Sequence, residues 1–135
     1  MDMDVLNSFG KKYAQAWSSQ KPEEVSKYFA PDGSLTVNDG DPAIGTAAIT
    51  NVAKGFMDAF PDMIVTMDSF VTKSNKTQFH WTLIGTNTGT GGTGNKVRIS
   101  GFEQWIFNED GLVQESIGSF DSEEYNRQLN EGVLE

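Results

Sequence analysis

The stretch Thr77-Gln78-Phe79-His80-Trp81-Thr82-Leu83-Ile84-Gly85-Thr86-Asn87-Thr88 decides the fold class. Phe79, Trp81 and Leu83 alternate with Gln78, His80 and Thr82, and this period of two places the apolar set on one face of a strand and His80 on the other. The same period begins at Asp62 and predicts strands over 63–73, 77–88, 96–107 and 112–120. Ser74-Asn75-Lys76, the glycine-rich Gly89 to Asn95 and Asn108-Glu109-Asp110-Gly111 are short, turn-like connections. Connections of that length favour antiparallel hairpins, so the second half of the chain should form a meander.

Working outward, the period upstream changes. Val5, Leu6, Phe9, Tyr13, Ala16 and Trp17 recur at spacings of three and four and mark one face of a helix, with Asp2 and Asp4 at its positive end. A second, short helix is predicted from Pro22 to Phe29, closed by the turn Pro31-Asp32-Gly33. Ser34 to Val37 reads as a short strand. A third helix is expected from Thr46, its cap, to Phe60, with Ile49, Val52, Ala53, Phe56 and Phe60 as its buried stripe and Pro61 as its stop. A last helix runs from Ser122 to Asn130, opened by Asp121 or Ser122. Helices come first and long antiparallel strands later, which is an α+β pattern. The expectation is one domain over 1–135, in which a curved sheet and its covering helices enclose a pocket for a small, largely apolar molecule.

Composition narrows the function. The 135 residues include nine Phe, three Trp and three Tyr, enough apolar volume for a core and an aromatic-lined cavity. The formal net charge of −9, with no Lys/Arg cluster to offset it, disfavours nucleic acid and anionic membrane surfaces. The absence of cysteine excludes disulfides, thiolate metal sites and a cysteine nucleophile. With one histidine, a transition-metal site is not expected. No stretch approaches the roughly 18 apolar residues of a membrane span, and the first twenty residues lack a signal-peptide pattern, so a cytoplasmic chain is expected. Gly89 to Gly94 contains a formal G-x-G-x-x-G, but the following Lys96-Val97-Arg98-Ile99 reads as strand. Without a helix dipole after it, the motif is a hairpin loop and a candidate lid, not a dinucleotide site.

Several polar residues share phase with apolar ones. Glu103 shares parity with Val97, Ile99, Trp105 and Phe107; Glu115, Ser119 and, by continuation, Asp121 share it with Val113 and Ile117. Bulges at Gly101 or Gly118 would shift that parity by one. If the parity holds, up to three carboxylates point toward an apolar interior, where each must pair, reach water or take a proton.

The order of elements, with Tyr28-Phe29-Ala30-Pro31-Asp32-Gly33, the Gly45 before the third helix, Ala59-Phe60-Pro61-Asp62, Gly85-Thr86-Asn87-Thr88-Gly89, and Asp110-Gly111-Leu112-Val113-Gln114-Glu115 leading to Asp121, resembles the nuclear transport factor 2-like superfamily. Within it the chain looks closest to the polyketide-cyclase-like (SnoaL-like) branch, from about residue 5 to 130. The resemblance implies a cone-shaped fold, with a curved, mainly antiparallel sheet around a cavity closed by helices. It also implies homodimers through the outer sheet face, no metal or organic cofactor, and cavity Asp or His residues that move protons on cyclic ketones, polyketides or similar molecules. Where the branch commonly has histidine in a Gly-Thr-His-x-Gly motif, this chain has Asn87, which hydrogen-bonds an oxygen but does not exchange a proton near neutral pH.

These readings single out Asp121 and His80 as candidate proton carriers. Asp121 lies at a strand end near the implied cavity mouth, yet Asp121-Ser122-Glu123-Glu124 also has the spacing of a helix cap. His80 is the one imidazole, although its phase opposes Trp81. Glu103 and Glu115 are a candidate acid and base pair, or alternatively structural hydrogen-bonding groups. Tyr13, Trp17, Phe29, Phe56, Phe60, Trp81 and Trp105 are core candidates, about half of them expected to touch a ligand. Asn87 or Glu103 is the candidate for orienting a substrate oxygen. Two functions remain open: cofactor-free proton transfer on a carbonyl compound, and a non-catalytic ligand-binding or dimerising module.

Overall fold

The computed structural model describes residues 2–133. Helix α1 (Met3–Ser18) starts at Asp2, whose Oδ1 accepts from the Val5 N–H at 2.8 Å. Its buried face carries Leu6, Gly10, Tyr13, Ala14 and Trp17, the three- and four-residue spacing seen in the sequence. Helix α2 (Pro22–Ser26) is followed by strands β1 (Phe29–Val37) and β2 (Ala43–Ile44), then helix α3 (Thr46–Ala59). The meander follows as β3 (Ile64–Lys73), β4 (Lys76–Thr86), β5 (Lys96–Phe107) and β6 (Val113–Phe120), and helix α4 (Ser122–Glu131) closes the described chain.

The six strands form one sheet in the order β2-β1-β6-β5-β4-β3, with β2 and β3 as unjoined edges. The predicted antiparallel meander is present, and β1 joins it by pairing parallel to β6. Register shifts between Phe29 and Ser34, between Met67 and Ser69, and between Ile106 and Phe107 bend the sheet. The helices lie along the concave side, where α1 packs on β3 and α3 on β1.

Three local expectations are corrected. Phe29 and Ala30 belong to β1, and Pro31-Asp32-Gly33 is an irregular stretch within that strand, not a turn before it. A Cβ on Gly33 would stand 2.8 Å from the Val113 carbonyl oxygen, so glycine allows β1 to approach β6 there. Gly45, not Thr46, holds the cap position of α3; its φ of +90° is open to glycine and strained for threonine. Finally, the phase of β6 shifts near its start. Val113 is buried, but from there the inward positions are Ser116 and Gly118, so Glu115, Ile117 and Ser119 turn away from the core. The offset lies at the bulge opposite Ile106 and Phe107 rather than at a glycine.

Between the helices and the sheet lies an aromatic cluster. Phe79 and Trp105 stack at 4.9 Å, and the Tyr13 ring meets both edge-on at 5.3 and 5.1 Å. Phe29, Phe60, Ile49 and Val97 complete the buried core around them.

Candidate functional site

Next to this cluster, the sheet and helices leave a cavity of about 60 Å³. Its closed end is formed by buried residues, among them Trp17, Leu35, Phe79, Leu83, Ile99 and Glu103. Its mouth is formed by partly exposed ones: Val37, Phe56, Trp81, Phe120 and Tyr125. The mouth rings touch one another edge-on, Trp81 against Phe120 at 5.9 Å and Phe120 against Tyr125 at 5.4 Å. An apolar wall of this kind suits a small organic guest, with orientation left to a few polar groups.

Glu103 is the carboxylate at this wall. The period of β5 carries it inward between Gly101 and Trp105, as the sequence predicts, and it is 7% exposed. Its Oε1 accepts three hydrogen bonds: from the Ser116 hydroxyl at 2.7 Å, the Tyr13 hydroxyl at 2.8 Å and the Trp105 indole at 3.1 Å. Among the described residues no hydrogen bond reaches Oε2, which leaves that oxygen available to the cavity. Burial pushes the Glu103 carboxyl above its ordinary range, while Ser116, Trp105 and Tyr13 hold it down; burial wins. The Tyr13 hydroxyl is raised well above 10, first by burial and then by the Glu103 charge, so it stays a neutral donor. The result is a carboxyl fixed by one oxygen, with the other free to hold or release a proton.

Trp17 supplies the second polar feature. Its ring lines the cavity and lies against Phe56 at 5.9 Å. Its indole nitrogen is buried, and among the described residues it is the buried side-chain nitrogen or oxygen without a hydrogen-bond partner. Trp17 offsets part of the rise at the Tyr13 hydroxyl, although the two do not make a hydrogen bond. Such an unmet buried donor costs about 1–3 kcal/mol.

The other sequence-derived candidates lie elsewhere. Asp121 is exposed and caps α4, its Oδ1 accepting from the Glu124 N–H at 3.1 Å; no apolar wall surrounds it. His80 lies on the outer face of the sheet against Phe102, with ring centroids 5.5 Å apart, and its Nε2 is 3.3 Å from the Gln78 side chain. Glu115 is turned outward by the β6 offset, so it does not pair with Glu103 across the cavity. Asn87 is buried but engaged: its Nδ2 donates to the Ala59 carbonyl at 3.1 Å and its Oδ1 accepts from the Thr93 N–H at 2.8 Å. It thereby ties the end of α3 to the glycine-rich loop instead of facing a guest. Of the seven aromatic candidates, Trp17, Phe56 and Trp81 line the cavity, while Tyr13, Phe29, Phe60 and Trp105 lie in the core behind it.

Sequence reasoning missed Ser116, Phe120 and Tyr125. Ser116 sits one residue off the expected phase of β6, and the bulge that moves it leaves no mark in composition. Phe120 and Tyr125 flank the predicted α4 cap, and their five-residue separation bridges the strand-to-helix corner, which no periodicity spans.

Among the described residues, no group of three or more His, Asp or Glu side chains is gathered in a way that could hold a metal. No helix among them is long and apolar enough to cross a membrane.

The sequence profile of the SnoaL-like polyketide cyclase family matches residues 9–129, most of the chain. The chain belongs to the SnoaL-like polyketide cyclase family. No curated protein matches the sequence. Among solved structures, TsrD from Streptomyces laurentii is similar, with a TM-score of 0.80 and 16% identity over 96% of this chain and 97% of that one. A protein with a ketosteroid isomerase-like fold from Catenulispora acidiphila DSM 44928, in complex with trimethylamine, is similar at a TM-score of 0.78 and 12% identity, covering 95% and 93%. TerC co-crystallised with polyporic acid is similar at 0.72 and 12%, covering 87% and 92%. At these identities the likeness establishes the fold: a SnoaL-like cone, its curved sheet open at the edges.

Proposed function

We propose that this SnoaL-like chain, acting as one domain, is a cofactor-free acid/base catalyst of a small, neutral carbonyl compound, with Glu103 carrying the proton. The observation behind this reading is the division of labour within one carboxyl group: Oε1 is held by three donors and Oε2 is left unbonded at an apolar wall. A carboxyl raised by burial is matched to removing a proton beside a carbonyl near neutral pH. In that step Oε2 takes a proton from the carbon next to the carbonyl. The C–H electron pair becomes the C=C bond of an enolate, and the carbonyl π pair moves onto oxygen. Where a second C=C bond is conjugated with the enolate, return of that proton to the far carbon restores the carbonyl and completes an isomerisation. Where the enolate carbon attacks a second carbonyl of the same molecule, a C–C bond forms, that carbonyl's π pair moves onto its oxygen and the proton returns there. Ring closure thus also balances without an oxidant.

Size limits the guest. A volume of about 60 Å³ holds roughly four to six water-sized spheres. A larger polyketide-like molecule enters only when the mouth rings Trp81, Phe120 and Tyr125 swing outward. They are partly exposed and pack at the margin of the core, whereas Phe79 and Trp105 lie within it.

A Glu103→Gln variant keeps an oxygen acceptor for Tyr13, Trp105 and Ser116 but exchanges no proton. Proton–deuterium exchange beside the carbonyl, followed by NMR on a panel of cyclic ketones, should fall by about 100-fold or more. Unchanged exchange in a folded variant removes Glu103 from the role. A second reading, a non-catalytic binding module, is favoured by the exclusion of His80, Asn87 and Asp121 from the cavity. Ketone binding without exchange in the wild-type protein would establish it. In either case the outer sheet face is proposed as a homodimer contact, because Ile64, Ile84 and Ile117 stand exposed there beside His80. Sedimentation equilibrium of an Ile117→Asp variant checks this, with a shift to monomer expected.

A further inference from the structure

We infer that the Trp17 indole N–H receives the oxygen of the bound molecule, making Trp17 the substrate-positioning residue of the cavity. The inference rests on the acid/base reading of the same cavity and adds what that reading lacks, a contact for the reacting oxygen.

Trp17 follows Tyr13 by four residues on α1, so both side chains leave the helix on one face, their ring centroids 6.4 Å apart. Tyr13 in turn holds Glu103. The helix therefore brings the indole beside the carboxyl without a contact between the two. The indole is 8% exposed, lines the cavity, and makes no hydrogen bond among the described residues, the neighbouring Tyr13 hydroxyl being engaged with Glu103. Buried donors in folded proteins rarely stay unmet, and one at a cavity wall is met when a guest arrives.

The chemistry of the guest follows from this donor. An indole nitrogen only donates, so it selects an acceptor atom and repels nothing that is neutral. A cation gains nothing from it. An anion would have to leave water for an apolar wall beside a carboxyl, on a chain of net charge −9. What remains is an uncharged molecule with an acceptor oxygen, which the acid/base reading makes a carbonyl. Negative charge that gathers on that oxygen as Glu103 removes a proton is then stabilised by the same N–H. The nitrogen lies within the wall and not on its surface, so the indole must turn toward the cavity for the oxygen to reach it.

Two probes of the same small size test this: acetone and isobutene, which differ by oxygen against CH2. In ¹⁵N-labelled wild-type protein, the Trp17 indole resonance, told from those of Trp81 and Trp105 by its loss in Trp17→Phe, should move downfield with the ketone and not with the hydrocarbon. Across the two proteins, the ketone-to-hydrocarbon affinity ratio should fall about tenfold in Trp17→Phe, the weight of one hydrogen bond. A resonance unmoved by bound ketone, or a ratio that stays the same, overturns the inference while the cavity reading stands. Failure of both probes to bind overturns the cavity reading and this inference with it. If Trp17→Phe does not fold, the two neighbouring indoles are assigned through Trp81→Phe and Trp105→Phe, and the wild-type resonance decides alone.

Discussion

The inner end of β5 and the outer surface of the same sheet hold polar groups on opposite terms. At Glu103, three side chains from α1, β5 and β6 converge on one oxygen, and burial raises the carboxyl against their combined pull. At His80 and Glu115 the side chains meet partial solvent and few partners, and at Asp121 a single backbone N–H. The difference teaches that chemical readiness here is a property of enclosure, not of residue type. The histidine and the aspartate that look most reactive in the sequence stand where water screens them.

Five substitutions at four positions probe this contrast, the positions taken in descending order of effect. Glu103→Ala removes the shared acceptor of Tyr13, Trp105 and Ser116, leaves three buried donors unmet, and should cost about 3 kcal/mol or more, read from the urea midpoint. Glu103→Gln should cost far less. It should also change the pH dependence, with a sign fixed by the raised carboxyl. Between the ordinary glutamate value of 4.5 and the raised folded value, the native protein binds more protons than the unfolded chain. Wild-type stability therefore falls as pH rises through that window, and in Glu103→Gln that slope disappears; an equal slope in both proteins would break the contrast.

Asn87→Ala comes next, at about 2 kcal/mol, because it frees the Thr93 N–H and leaves the Ala59 carbonyl with the Gly89 N–H alone. Hydrogen exchange at Thr93 should quicken in the same variant. Asp121→Ala should cost about 1 kcal/mol, the weight of a helix cap, with amide exchange at Glu124 as the local readout and no change in exchange chemistry on ketones. Smallest is His80→Ala, within about 0.5 kcal/mol in thermal unfolding of the monomer. A large loss there would show that the outer face is not the permissive surface described.

Much of the fold is legible in the sequence because it is written in period. The alternation of Phe79, Trp81 and Leu83, and the repeat of Tyr13 and Trp17, survive into the structure unchanged, and Glu103 is carried inward by the parity of its own strand. What stays hidden is set by register between strands. The offset that turns Glu115 outward and Ser116 inward arises where β6 meets β5, and neither strand signals it alone. Asn87 was hard to place for a different reason. Its partners, Ala59 and Thr93, lie on either side of it in the chain, and a buried asparagine at a strand end reads equally as a ligand contact or a latch. The glycine-rich loop is held by that latch and by the Gly94 N–H to the Asn87 carbonyl at 2.8 Å, which gives it anchored ends instead of the free hairpin its composition suggests.

The parallel pairing of β1 with β6 sets an order of assembly. Ser34 meets Glu115 and Val37 meets Gly118, partners some eighty residues apart, so β1 cannot pair with β6 until the meander between them has been synthesised. The hairpins of the meander close over far shorter stretches of chain, so they cost less loop entropy than this pairing does. The cavity, walled on one side by Leu35 and Val37 of β1, therefore depends for its closure on the longest-range pairing in the sheet.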